Sequence, residues 1–260
     1  MKSYAVVLLA LVSGIALNAT GQVLFDHLGT ASHKLAPAPR LVLNGDAVQM
    51  DRVMRLTPSL RIQAGSAWLA DKQDVKNGFS TMFQFQVTDR GSSFPKAVTT
   101  DVGADGFAFV IQNSDVDALG SAGGGIGYSG IPNSLVVEFD TWDNNESGQA
   151  LIRDPDDNHV SVQTHGTETN YEFKAYSLGL TPNLPELSDG DVHTAKLEYI
   201  PGTLLVYVDD MDLPVLAVKA DLESLLSLDE GKAWVGFTAA TWNAFENHDI
   251  LNWVFTGAKP

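Results

Sequence analysis

The sequence predicts an all-β protein, a two-sheet antiparallel β-sandwich, on three observations. Apolar and polar residues alternate over short stretches, turn residues such as Pro201-Gly202 separate β-prone runs, and only Asp221 to Leu228 carries helical patterning. Many strands, few helices and frequent turns leave two packed sheets as the arrangement that buries every apolar face. At 260 residues the chain suits one domain of this kind. With 44% hydrophobic and 18% charged residues it can bury a sizeable core and does not read as disordered.

In chain order, Lys2, the apolar run Tyr4 to Leu17 and the small residues Ala19, Thr20 and Gly21 have the layout of a secretory signal. The run is shorter than the roughly 20 residues that cross a bilayer. Residues 1–21 are therefore expected to be a signal peptide and 22–260 an exported domain, secreted or periplasmic, with no membrane insertion. Phe79, Phe83, Phe85 and Val87 alternate with Ser80, Gln84 and Gln86, the pattern of a strand with one wet face. Phe107 to Ile111 is continuously apolar, as in a strand buried on both sides. Thr194–Ile200 and Thr203–Val208 flank Pro201-Gly202 and predict a hairpin. Ala233–Ala239 and Leu251–Phe255 complete the strands, and their Trp234 and Trp253 are expected in the core. Asp221–Leu228 is too short to organise a domain.

Charge and cysteine content narrow the function. Acidic residues outnumber basic ones 32 to 16, for a net charge of −16. That field repels nucleic acid and anionic lipid and favours cations. The absence of cysteine removes disulfides, thiolate zinc sites and cysteine nucleophiles together.

One segment concentrates the chemistry. Between Glu138 and His159 stand seven carboxylates, Glu138, Asp140, Asp143, Glu146, Asp154, Asp156 and Asp157, opposed only by Arg153. Leu135, Val137 and Phe139 share one face of a strand, and Glu138 and Asp140 share the other. Two carboxylates that close repel unless a cation sits between them. Asn144, Asp154 and His159 supply further ligands. Oxygen donors suit calcium, and an imidazole among carboxylates suits a transition metal such as manganese or zinc. Two adjacent metals sharing Asp140 and Asp154 use the fewest ligands.

Other patterns compete for these residues. Glu138-x-Asp140-x-x-Asp143 approaches the Glu-x-Asp-x-x-Glu signature of retaining β-glucanases, with Glu138 as nucleophile, but its last position is one methylene short. Asp143-x-Asn145-x-Ser147-Gly148 mimics an EF-hand loop, which needs flanking helices. Gly125-x-Gly127-x-x-Gly130 matches a dinucleotide fingerprint in letters only, because Pro132 and a strand follow. His27, His33, His165 and His193 lack clustered acidic partners at ligand spacing and read as solvent-facing or internally satisfied.

Val137-Glu138-Phe139-Asp140-Thr141-Trp142-x-Asn144, then Asp154-Pro155-x-x-x-His159, resembles the metal-binding segment of the legume-type (L-type) lectins. Ala64-Gly65-Ser66-Ala67-Trp68, Ala104-Asp105-Gly106-Phe107-Ala108-Phe109, Val235-Gly236-Phe237-Thr238-Ala239 and His248-Asp249-Ile250-Leu251-Asn252-Trp253 are similar to other strands of that family, in order, over about residues 23 to 256. The resemblance implies a jelly-roll sandwich of the concanavalin A type that binds carbohydrate and catalyses nothing. It implies Glu138, Asp140, Asp154 and His159 around a transition metal such as Mn2+, and Asp140, Asn144, Asp154 and the Trp142 carbonyl around Ca2+. Glycans would be held by the Asp105 carboxylate, the Asn144 amide and an N–H from Gly127 or Gly125. The Trp142 ring would stack on the sugar, and Asn243 would lie in the loop that tunes specificity. A cis peptide at Ala104-Asp105 and loss of sugar binding without metal are also implied. The resemblance admits a homodimer through a sheet edge, though no stretch marks one. This chain departs from the family between Asn144 and Asp154, where extra residues within Asn145–Arg153 would reshape the calcium loop or wall the sugar.

Overall fold

The structure is a computed structural model and describes residues 22–26, 40–93, 102–147 and 151–257. The signal segment, His27 and His33 lie outside the described residues. In chain order the strands are β1 (Gln22–Asp26), β2 (Leu41–Gly45), β3 (Val48–Met50), β4 (Val53–Thr57), β5 (Ala64–Leu69), β6 (Gln73–Asp74), β7 (Phe79–Ser92) and β8 (Gly106–Gln112). There follow β9 (Ser134–Asp140), β10 (His159–Thr164), β11 (Ser177–Thr181), β12 (Val192–Ile200), β13 (Gly202–Val208) and β14 (Leu216–Ala220). One helical turn, α1 (Leu222–Leu225), precedes β15 (Lys232–Ala240) and β16 (Ala244–Gly257).

They form two antiparallel sheets. One runs β14-β13-β12-β7-β16-β4-β3 with β1 beside β16, and the other runs β11-β10-β9-β8-β15-β5-β2 with β6 beside β15. The inward faces meet in one apolar core. Phe83 of β7 lies at its centre, 4.9 Å from Phe237 and 5.8 Å from Phe139, both edge-on. All four apolar residues of the β7 alternation are buried there, while Ser80, Gln84 and Gln86 are partly exposed. The Pro201-Gly202 hairpin pairs Ile200 with Thr203.

The central strands β8, β9 and β10 of the second sheet are buried on their outer face as well. Phe107, Phe109 and Ile111 of β8 face the sandwich core, while Ala108 and Val110 face a smaller cluster with Trp68, Ile126, Tyr128 and Val136. The glycine-rich segment before β9 forms that cover. Thr238 donates to the Ile126 carbonyl (2.8 Å), and Trp68 Nε1 donates to the Ala118 carbonyl (2.9 Å). Trp253 is a core residue, as expected. Trp234 is not: it is half-buried on the outer side, with the Lys72 ammonium 4.1 Å over its ring.

Candidate functional site

Strand register builds a buried His-carboxylate cluster. Phe107 of β8 pairs with Phe139 of β9, and their rings stack at 4.8 Å in the core. Period-2 alternation then turns Glu138 and Asp140 to the outer face, where β10 pairs Ser161 with Glu138 and His159 with Asp140. Glu138, Asp140 and His159, all buried, each offer one ligand atom within 4.8 Å of the others. His159 Nε2 also lies 3.7 Å from Asp154 and 4.0 Å from Asp140. Its Nδ1 contacts the Asp156 carbonyl at 3.2 Å, an acceptor that fixes the proton on Nδ1 and leaves Nε2 for a metal.

Electrostatics support a cation. Burial pushes Glu138 up to about 7 against hydrogen bonds from Ser161 (2.6 Å) and Tyr128 (3.0 Å). Burial raises Asp140 well above its usual range, and the Glu138 and Asp154 charges add to this. Asp154 rises to about 6 for the same first reason, and burial lowers His159. Carboxylates held where their charged forms are disfavoured, around an oriented imidazole, fit a metal better than they fit one another. The donor set suits a transition ion at Glu138, Asp140 and His159, and a hard cation on the side of Asp154 and Asn144.

Beside the cluster opens a cavity of about 480 Å³. Asp105, Gly125, Trp142, Asn144 and Asn243 line it, so five of the expected sugar contacts meet in one place. Asp105 is 4% exposed, and its Oδ2 has no hydrogen-bond partner. Burial raises it well above the carboxylate range, with Glu246 adding repulsion. The peptide before it is cis. Its neighbour Gly106 has φ +123°, and a Cβ there would collide with the Phe139 carbonyl, so only glycine lets β8 lie this close to Asp140.

One expected donor stands elsewhere. Gly127 does not line the cavity, and its N–H is taken by the Ser121 carbonyl at 2.9 Å. Gly123–Gly125 coils into a 3-10 turn, which puts Gly124 at the wall beside the expected Gly125. A Cβ on Gly124 would stand 2.7 Å from the Asn144 amide nitrogen. Asn243 Oδ1 accepts from Arg61 at 2.7 Å, which anchors the loop.

The extra loop folds back on the metal side. Asn144–Ser147 is a 3-10 turn, and Asn145 bonds the Asp154 carbonyl with its amide. None of its described residues lines the cavity, so the described part is no wall beside it.

Several residues of the site carried no signal of their own. Trp242, 48% exposed, also lines the cavity. Glu172 lines it from the segment after β10. Glu246, wholly buried, accepts from Thr141 (2.5 Å) and lies 3.2 Å from His248 Nε2, while the Thr141 N–H donates to the Asp105 carbonyl (3.2 Å). A Cβ on Gly103 would collide with Glu246 Oε2, so this carboxylate backs the turn that presents Asp105. Only Ser161 was accessible to pattern, two residues beyond His159 on the same face.

The hydrolase geometry fails here. Glu138 is 3% exposed, its two oxygens each accept from a hydroxyl, and it does not line the cavity. A strand precedes the EF-hand-like segment, and β9 follows the glycine triplet, so neither of those patterns has its helix.

Residues 35–252 match the family model described as the legume lectin beta-barrel domain. The chain belongs to the L-type lectin family. Among relatives of this lectin, Lectin 8 of Medicago truncatula is 29% identical over 244 residues, 83% of this chain and 82% of its own. The human protein ERGIC-53 is 24% identical over 225 residues, 81% of this chain and 38% of its own. Among solved structures, the Bauhinia forficata lectin in complex with GalNAc superposes with a TM-score of 0.66 at 21% identity, covering 92% of this chain and 99% of that one. The lumenal domain of VIP36, in its Ca2+/Man3GlcNAc-bound form, gives 0.64 at 18% identity, covering 85% and 86%. The jelly-roll sandwich of this lectin is thus the family's, and carbohydrate binding without catalysis is the family's activity.

Proposed function

We propose that this chain binds glycans outside the cytoplasm, secreted or periplasmic, in a manner that depends on calcium and a transition metal such as manganese. The observation that carries the reading is Asp105: a buried carboxylate with a partnerless oxygen in a cavity that adjoins a His-carboxylate cluster. Sugar hydroxyls donate to such a carboxylate and accept from amides. Asp105 accepts hydrogen bonds from two sugar hydroxyls, the Asn144 amide and the N–H groups of Gly124 and Gly125 donate, and Trp142 covers a C–H face of the ring. Glu138, Asp140, Asp154 and His159 hold the transition metal. Asp140, Asn144, Asp154 and the Trp142 carbonyl hold calcium. Bound ions neutralise the carboxylates and fix the loop that carries Trp142 and Asn144.

A glycan array tests this, run with calcium plus manganese and again after chelation, for the parent chain and Asp105→Ala. Binding that chelator and Asp105→Ala both abolish supports the reading and names the sugar class. A folded, metal-loaded chain that binds no glycan sinks it.

A further inference from the structure

Alternation along β16 puts Glu246, His248 and Ile250 on one face of the strand. Ile250 joins the apolar core between the sheets, and the His248 ring lies 6.4 Å from that of Phe107. A carboxylate at the next position of this row stands where packing alone calls for an apolar group, yet Glu246 is wholly buried. The neighbouring strand carries an irregularity here: Phe245 pairs with Gly91 and Asn247 with Thr88, so β7 has one residue more opposite Glu246. Such bulges re-aim side chains beside functional sites.

Glu246 Oε1 collects two contacts. The Thr141 hydroxyl donates to it at 2.5 Å, and His248 Nε2 lies 3.2 Å away, with His248 Nδ1 in turn 2.7 Å from the Thr57 hydroxyl. Thr57, His248 and Glu246 belong to β4 and β16 of one sheet, while Thr141 directly follows β9 of the other. The bond from Thr141 to Glu246 therefore ties the two sheets together beside the cavity. Thr141 is buried as well, and its N–H donates to the Asp105 carbonyl at 3.2 Å. Glu246 Oε2 has no hydrogen-bond partner and stands where a Cβ on Gly103 would be. One side chain thus touches both the segment that carries Asp105 and the segment that carries Trp142 and Asn144, three residues that line the cavity.

We propose that Glu246 is a positioning residue of the glycan site: by holding the Thr141 hydroxyl it keeps the Thr141 N–H on the Asp105 carbonyl, and so sets where the Asp105 carboxylate meets a sugar. This rests on the glycan-binding reading above. Glu246 does not line the cavity, so it acts on glycan affinity only through these bonds. A hydrogen bond to a buried carboxylate is among the stronger ones, and removing its donor leaves the acceptor short of a partner.

The test compares the full-length chain, supplied with calcium and manganese, as parent, Thr141→Val and Thr141→Ser. Valine keeps the shape and removes the hydroxyl, and serine keeps the hydroxyl. The readouts are affinity for the array glycans that the parent binds, calcium and manganese affinity, and amide hydrogen exchange. The proposal expects Thr141→Val to weaken glycan binding about tenfold, to leave both metal affinities within about twofold, and to speed exchange at Thr141 and Asp105 but not along the central strand β15. Thr141→Ser should behave as the parent does. If Thr141→Val does not fold, Glu246→Asp, whose acceptor is one methylene short, replaces it with the same expectations. Parental glycan affinity in the variant overturns the proposal. So does a loss that serine fails to restore, one matched by lost metal binding, or one with faster exchange throughout β15, which would mark a general loosening. A parent that binds no array glycan overturns this proposal and the reading beneath it together, and that outcome is recognisable from the parent alone.

Discussion

Asp105 shows how single residues make this site. Its backbone is clamped from both sides, its N–H donating to the Ala240 carbonyl (3.0 Å) and its carbonyl accepting from Thr141. Gly106 next to it can carry no side chain. Gly106→Ala is expected to cost about 1–3 kcal/mol through its positive φ alone, and to weaken glycan binding by displacing Asp105 and Asp140 together. Thermal melts and array binding of the variant check both, and a variant with parental stability and binding would contradict this account. The spacing of the acidic segment pointed to Asn144, and the family resemblance pointed to Asp105 and Trp142, all three of which line the one cavity. Neither route pointed to Glu172 or Glu246, which reach the site from segments distant in sequence, and of the two expected glycines Gly125 lines the cavity and Gly127 does not.

At the scale of elements, register decides which side chains meet. Glu138 and Asp140 were legible as neighbours on one strand, but Ser161 and His159 came opposite them only through β9–β10 pairing. The β7 alternation was read to Val87, yet the strand continues to Ser92 because β16 follows it across a register shift. Beyond the site, β12 holds His193, an internally satisfied histidine as expected, although acidic side chains do the satisfying: Asp209 lies 2.8 Å from Nδ1 and Asp189 3.1 Å from Nε2. These partners come from the loops flanking β12 and β13, while Phe85 of β7 packs on the ring. The hydrogen bond to Asp209 raises His193 above its ordinary 6.5 despite burial. A raised folded value means that the ion pairs stabilise fully below 6.5 and that this contribution is lost as pH climbs through the folded value. His193→Gln should therefore lower the melting temperature more at about pH 6 than at about pH 9. A pH-independent difference would refute the assignment.

Over the whole molecule, the His-carboxylate cluster joins the glycine-rich cover to the second sheet. Tyr128 of the cover donates to Glu138 of β9, and Asn144 of the next loop abuts Gly124 of the cover. Metal binding to the folded state alone adds stability by mass action, about 2.7 kcal/mol at a ligand concentration 100 times Kd. Chelation should thus lower the melting temperature by several degrees, about 2–4 °C per kcal/mol for a chain of this size, and calcium plus manganese should restore it. An unchanged melt in chelator would show that the cluster holds no ion. The amino-acid sequence determined the two-sheet class, the doubly buried strand β8 and the acidic strand, because alternation, continuous apolar runs and like-charge spacing are local properties of a chain. Only the tertiary structure decided which N–H groups face the cavity, which carboxylates are orphaned, and where Glu172 and Glu246 stand. Those outcomes depend on residues far apart in sequence, and on hydrogen bonds that form only once the sheets have closed.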